Sequence, residues 1–256
     1  MRRPVSLLVA VVLSVASVVA QQRRTLIDAD WEFAQEGQSV VSVNLPHDWS
    51  IQGVPLVDEP AGNDGGYYPT GKGEYRKVLH LKTKGDDRRY SLYFEGVYMN
   101  AEVIVNGTST GTQHYGYSSF LRDVTELLRE GDNEVVVRVD NSQQKNCRWY
   151  TGSGIYRHVW LIETADVHFK HWGTFVTTPV VAQNDMSRVD VKTVIVNESD
   201  RDRVADYTKI LYAQARLISG LSVDNPTENT DKKRIIGNDM SGDQIGEDIG
   251  RIGQIR

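Results

Sequence analysis

Between Trp31 and Pro179, apolar residues recur at every second position in runs too short for helices, and the runs are separated by glycine, asparagine or aspartate. Tyr90, Leu92 and Phe94 fall on one face of an extended chain, with Ser91, Tyr93 and Glu95 on the other. Val103 and Val105 repeat the pattern, as do Val135, Val137 and Val139 against Glu134, Arg138 and Asp140. A period of two suits a strand with one face in a core and one in water. Asn106-Gly107 follows the Val103 run directly, and both residue types tolerate the positive φ of a tight hairpin. Gly131-Asp132-Asn133 marks a second reversal before the Val135 run. Val124 to Arg129, opened by Asp123 as a cap, is long enough for one helical turn only. Many short strands with regular turns predict an all-β fold, a β-sandwich of jelly-roll type.

The alternation predicts a boundary near Thr178-Pro179. Beyond it Val189, Val191, Thr193 and Ile195 alternate with Asp190, Lys192, Val194 and Val196, which reads as the opening strand of a second β domain. Asp202 to Leu221 has a partial helical register, and from Asn225-Pro226 onward the chain is charged and interrupted by Gly237, Gly242, Gly246, Gly250 and Gly253. Such a tail buries too little apolar surface to offset its ordering entropy. The expected organisation is an export signal over 1–20, a sandwich over 21–180, the first strand of a truncated second β domain over 181–200 and an irregular or disordered tail over 201–256.

Arg2 and Arg3 precede an apolar run from Val5 to Val19, and Ala20, with Val18 two positions earlier, offers a cleavage site before Gln21. This predicts a secreted or periplasmic protein. The run is shorter than the roughly 20 residues that span a bilayer, so no stable membrane insertion is expected. A net charge of -5 with no lysine/arginine block argues against nucleic acid. Cys147 is the single cysteine, which excludes an internal disulfide. The six histidines are scattered, and His168 and His171 sit in an alternating run with no metal-ligand spacing around them. No metal or other cofactor is expected.

Asn146-Cys147-Arg148-Trp149-Tyr150 combines a planar fork of donors with a broad apolar ring that carries one donor of its own. Sites for polar ligands pair aromatic walls with a few placed polar groups, and sugar recognition is of that kind. The same residues also suit a purely structural role, with the rings under a sheet and Arg148 paired to a surface acid. The Asp58 to Lys72 loop holds Gly62, Gly65, Gly66 and Gly71 and two tyrosines before Pro69. On its residues alone it reads as a surface loop. His47-Asp48-Trp49 reads as a structural corner, because adjacent side chains on a strand point to opposite faces.

Four segments in order carry a family resemblance. Leu45-Pro46-His47-Asp48-Trp49 comes first, then Gly73-Glu74-Tyr75-Arg76-Lys77, then Phe94-Glu95-Gly96-Val97 with Ala101-Glu102-Val103-Ile104-Val105-Asn106-Gly107. Val137 to Asn141 leads into the last, Asn146-Cys147-Arg148-Trp149-Tyr150-Thr151-Gly152-Ser153-Gly154-Ile155-Tyr156-Arg157. Together they resemble the N-terminal sugar-binding domain of glycoside hydrolase family 2 enzymes of the β-galactosidase type, with Cys147 where serine is usual. The resemblance implies a galactose-binding-domain-like jelly roll, followed by the start of an immunoglobulin-like domain. It implies substrate-binding roles for Asn146, Arg148 and Trp149, on a loop that reaches the rim of a catalytic barrel and closes a sugar subsite. Ser153 to Arg157 are architectural, with Gly152 and Gly154 for a sharp turn, and the resemblance also brings the Asp58 to Lys72 loop towards the pocket, where Asp64 or Thr70 would touch sugar.

In the family, two glutamates on a downstream (β/α)₈ barrel do the chemistry, and such a barrel takes about 250 residues. The chain is read as stopping before it, so no residue is assigned as catalytic. Asn197-Glu198 echoes the family's acid/base pair by chance, at the end of a strand. The expected whole is a retaining exo-glycosidase for β-galactosides or related β-linked sugars, with carbohydrate and the barrel as partners. The alternatives are a free-standing carbohydrate-binding module and a structural interaction domain.

Overall fold

The computed structural model describes residues 22–183, 186–199 and 252–255. The expected export signal, the partial helix at Asp202 to Leu221 and nearly all of the expected tail lie outside them. The chain divides into two compact units, Gln22–Thr164 and a second that begins at Ala165.

The Gln22–Thr164 unit is built from β1 (Arg23–Leu26), β2 (Trp31–Gln35), β3 (Val41–Val43), β4 (Gly71–Leu81), β5 (Arg88–Phe94), β6 (Ala101–Val105), β7 (Thr108–Gln113), β8 (Phe120–Asp123), β9 (Gly131–Asn141) and β10 (Val159–Ala165). One sheet has the order β3-β2-β4-β9-β6-β7 and the other β1-β10-β5-β8. Their inward faces make one core. Trp31, Tyr75, Val103, Val105, Val135 and Val137 come from the first sheet, and Leu92, Phe94 and Val159 from the second, all with no exposed surface. Tyr90 joins them at 1 %. Each fully buried large apolar side chain contributes about 2 kcal/mol against exposure, so the two-residue period read from the sequence is what holds the sheets face to face.

The tight turns fall where the sequence places them. Asn106 (φ 48°) and Gly107 (φ 82°) link β6 to β7 in the left-handed region. Asn106 is fastened as well as turned: its Oδ1 accepts from the Glu134 amide at 2.9 Å and its Nδ2 donates to Leu127 O and Asn133 Oδ1, both at 2.8 Å. Asn133 is fully buried and satisfied by the Arg129 amide and the carbonyls of Arg129 and Gly131. Asp123 caps a single turn through the Thr125 amide, at 2.9 Å, as expected.

Beyond Ala165, β11 (Val167–Gln183) pairs antiparallel with β12 (Met186–Asn197), and β12 with β13 (Ile252–Ile255). The strand expected at Val189 to Val196 is thus part of β12. Whereas the sequence places a boundary at Thr178-Pro179, the compact units divide at Thr164–Ala165, and β11 continues through Pro179. The β11–β12 register shifts between Thr177 and Val180. A proline, which cannot donate to a ladder, is tolerated at such an irregularity.

Candidate functional site

The loops that carry the sequence candidates are drawn together by one carboxylate. Asp48 caps the short helix α1 (Trp49–Gln52), its Oδ1 accepting from the Ser50 amide at 2.9 Å. The same oxygen accepts from the Ser153 amide at 2.9 Å, and Oδ2 from the Tyr150 hydroxyl at 2.6 Å. His47 and Trp49 on either side turn into the core: the His47 ring lies 2.8 Å from the Tyr75 hydroxyl, and the Trp49 indole stacks on Phe33. The expected structural corner is present, and it also anchors the Asn146–Arg157 segment. Ser50 Oγ donates to Pro69 O at 2.6 Å and lies 2.7 Å from Ser153 Oγ. Three loops therefore share one hydrogen-bond network.

Close approach explains the glycines. A Cβ on Gly154 (φ 119°) would lie 2.3 Å from the Tyr75 hydroxyl, and one on Gly152 (φ 69°) 2.5 Å from Asp48 Oδ2. Neither position accepts another residue without moving the corner.

Of the three predicted substrate-binding residues, Asn146 is held at the loop's base. Its Nδ2 donates to Oδ1 of buried Asn141 at 2.8 Å, and its Oδ1 lies 3.4 Å from the Tyr98 hydroxyl. Trp149 is 59 % exposed and donates from Nε1 to the Tyr117 hydroxyl at 2.9 Å. Arg148 is exposed and makes no hydrogen bond or ion pair among the described residues. Burial of both rings with Arg148 in an ion pair, the structural role left open by the sequence, is not what the loop shows: the indole and the guanidinium face solvent.

Beside Trp149 is a shallow recess with a free volume of about 10 Å³, lined by Ser50, Tyr68, Thr70, Cys147, Trp149 and Tyr150 among others; Asn146 and Arg148 do not line it. That is far below the roughly 300 Å³ at which closed small-molecule sites begin. Thr70 lines the recess. Asp64 is engaged by Lys145 at 3.1 Å, which ties the glycine-rich loop to the 142–154 loop. Tyr150 packs edge-on to Tyr68 at 5.1 Å. Burial and its hydrogen bond to the Asp48 carboxylate push the Tyr150 phenol well above its ordinary pKa. Burial beside Tyr117 does the same to Tyr98. These phenols stay protonated and serve as donors rather than bases.

Sequence reasoning missed Asp48 as the tie, Asn141 as the base and Tyr117 as the partner of Trp149. Asn141 at the end of an alternating run, and Tyr115-Gly116-Tyr117 as a glycine between two aromatics, were the available signals. Asn197 makes a local turn, its Oδ1 accepting from the Ser199 amide at 3.1 Å and the Ser199 hydroxyl at 2.7 Å.

A β-sandwich that presents an indole and a guanidinium from loops locked to its core is a ligand-binding domain by class. The profile described as "Glycosyl hydrolases family 2, sugar binding domain" matches residues 15–165. The chain belongs to glycoside hydrolase family 2, in the part that forms the sugar-binding domain. It is similar to the β-galactosidase BoGH2A of Bacteroides ovatus, with 41% identity over 73% of this chain and 23% of that protein. It is also similar to a β-glucuronidase of Bacteroides fragilis, with 28% identity over 79% of this chain and 31% of that one. Among solved structures, a family 2 member from Bacteroides cellulosilyticus superposes with a TM-score of 0.63 at 38% identity, covering 68% of this chain and 25% of that one. A β-glycosidase from Bacteroides vulgatus gives 0.65 at 31%, covering 70% and 25%. The chain thus spans about a quarter of the length of the relatives it matches.

Proposed function

We propose that this chain is the sugar-binding domain of a secreted retaining exo-glycosidase acting on β-galactosides or related β-linked sugars. In this reading Asn146, Arg148 and Trp149 form one wall of a substrate pocket that a catalytic barrel completes. The observation that carries it is the pairing of a rigid base with open functional groups. Asp48 and Asn141 hold the loop, while Arg148 and the face of Trp149 stay open. An unpaired guanidinium offers donors to vicinal hydroxyls, and the indole offers a face to the C–H side of a pyranose. A recess too small to enclose a sugar fits a subsite finished by another domain.

The test is a hybrid enzyme, in which residues 22–164 replace the matching segment of the 41%-identical Bacteroides ovatus protein. Arg148→Ala should lower kcat/KM on an aryl β-galactoside by about 10–100-fold, the range for losing a hydrogen bond from a charged group. Kinetics unchanged in both Arg148→Ala and Trp149→Ala would leave a structural interaction domain. Kinetics unchanged in both, together with retention of the chain alone on insoluble β-glycan, would favour a free-standing binding module. Export is tested by N-terminal sequencing of the secreted protein, which should begin at Gln21.

A further inference from the structure

Three aromatic side chains at the recess lie outside the core, and two of them, Tyr115 and Tyr117, are no part of the pocket wall. Tyr115 is 62 % exposed, Tyr117 44 % and Trp149 59 %, although such rings normally supply a sandwich with much of its buried area. They form one group. Tyr117 is central: its hydroxyl accepts from Trp149 Nε1 at 2.9 Å, and its ring meets that of Tyr115 at 5.7 Å and 67°. On its inner side, the Tyr117 ring lies 5.1 Å from that of buried Tyr98.

The turn that carries the two tyrosines is held in place. The Tyr156 hydroxyl donates to Gly116 O at 2.7 Å, and Gln113 Nε2 reaches both Tyr115 O and the Ser118 hydroxyl. Gly116 sits so close to Tyr98 that a Cβ would lie 2.2 Å from its ring. The aromatic corner is therefore preformed, which lowers the ordering cost of binding.

Its chemistry selects the occupant. A purely apolar partner would bury the phenol hydroxyls of Tyr115 and Tyr117 with no acceptor for their protons, at a cost for each. A pyranose has a flat C–H face for the rings and a rim of hydroxyls for these polar groups. Trp149 lines the recess and also belongs to the corner, so a ring seated on the corner adjoins one held at the recess.

We propose that Tyr115, Tyr117 and Trp149 form a stacking subsite for a second pyranose, which makes the preferred ligand a β-linked oligosaccharide rather than a single sugar. This rests on the reading of the chain as a glycosidase's sugar-binding domain. It adds two residues to the site and a length to the ligand.

The test is an NMR titration of the full ¹⁵N-labelled chain, which follows the Trp149 indole N–H as β-1,4-galactotetraose or galactose is added. The tetraose should move that resonance with a Kd on the order of 1 mM, and galactose should bind at least about tenfold more weakly. Tyr115→Ala should weaken tetraose binding about tenfold, which corresponds to withdrawing roughly 55 Å² of apolar contact. Tyr115 is mostly exposed, so its removal leaves the core intact and the rest of the spectrum unchanged. Tyr117→Phe should shift the indole resonance before any sugar is added, because it removes the acceptor and keeps the ring. An indole resonance that ignores ~50 mM tetraose, or one that responds equally in Tyr115→Ala, overturns the proposal.

The outcomes separate this proposal from the reading beneath it. A chain blind to the tetraose, with the hybrid enzyme still crippled by Arg148→Ala, sinks the stacking subsite alone. Tetraose binding on the corner, with a hybrid indifferent to Arg148→Ala, keeps the subsite and removes the pocket wall.

Discussion

Asp48 does three things with one carboxylate: it caps α1, orients Tyr150 and fixes the amide of Ser153. Asp48→Ala removes a cap worth about 1 kcal/mol and leaves a phenol and an amide unpaired, for a total near 3 kcal/mol. Urea unfolding should show that loss, with Asp48→Asn closer to wild type because its carbonyl still accepts. Next to it, burial lowers the pKa of His47, with Gln52 and Asp48 acting the other way. The folded chain therefore binds fewer protons at His47 than the unfolded chain does. Its contribution to stability is complete above the unfolded pKa of about 6.5 and is lost as pH falls through the lower folded value. His47→Gln should flatten the fall in melting temperature below that pH, and an unaltered acid limb would rule this account out. Tyr75, Tyr98 and Tyr150 have the opposite sign. Burial raises all three, so stability present below about pH 10 is lost as pH rises through their folded values. Absorbance of tyrosinate should accordingly rise together with unfolding.

Strands β4 and β9 separate two kinds of stabilisation along one ladder. On the outer face, Arg76 pairs with Glu74 and Glu134, and Arg138 donates to Glu74 at 3.0 Å. Burial tends to raise the Glu74 pKa, but the hydrogen bonds from Arg138 and Arg76 outweigh it and the net shift is downward. These are solvent-exposed pairs, so Arg138→Ala should cost at most about 1 kcal/mol, and less at high salt. On the inner face of the same strand Val137 has no exposed surface, and Val137→Ala should cost about 2 kcal/mol whatever the salt. The loop after β9 is less tolerant still. Gly154→Ala meets both a positive φ and a backbone carbonyl, His47 O, at 2.8 Å. A loss of about 3 kcal/mol or more in thermal melts is expected.

At the level of the whole chain, the Gln22–Thr164 unit has its own core and should unfold in one cooperative step. Its slowest-exchanging amides should lie in β4, β5, β6 and β9. Catalysis is a different matter. In the proposed reading the catalytic carboxylates belong to a separate barrel and the sandwich supplies only a pocket wall. The purified Gln22–Thr164 unit assayed by itself should therefore hydrolyse no aryl β-galactoside or β-glucuronide above background. Turnover that co-purifies with it and disappears in Glu95→Gln, Glu102→Gln or Glu134→Gln would refute this and place a catalytic pair on the sandwich.

Alternation at Tyr90-Leu92-Phe94 and Val135-Val137-Val139, with Asn106-Gly107 between strands, determined an all-β chain with its buried faces and turns, because strand period and turn chemistry are local properties. The ordered motifs likewise carried the family. The geometry of the candidate site was not legible in the same way. Asp48 meets Ser153 across 105 positions, and Trp149 meets Tyr117 across 32. Such contacts depend on which strands neighbour one another in the sheets, and no local pattern encodes that order. Pro179 made the same point in reverse, since its effect on the chain depended on a register irregularity that only pairing with β12 creates. The residue types of the site could be read from the sequence, but tertiary structure decided which of them are pinned and which stay open.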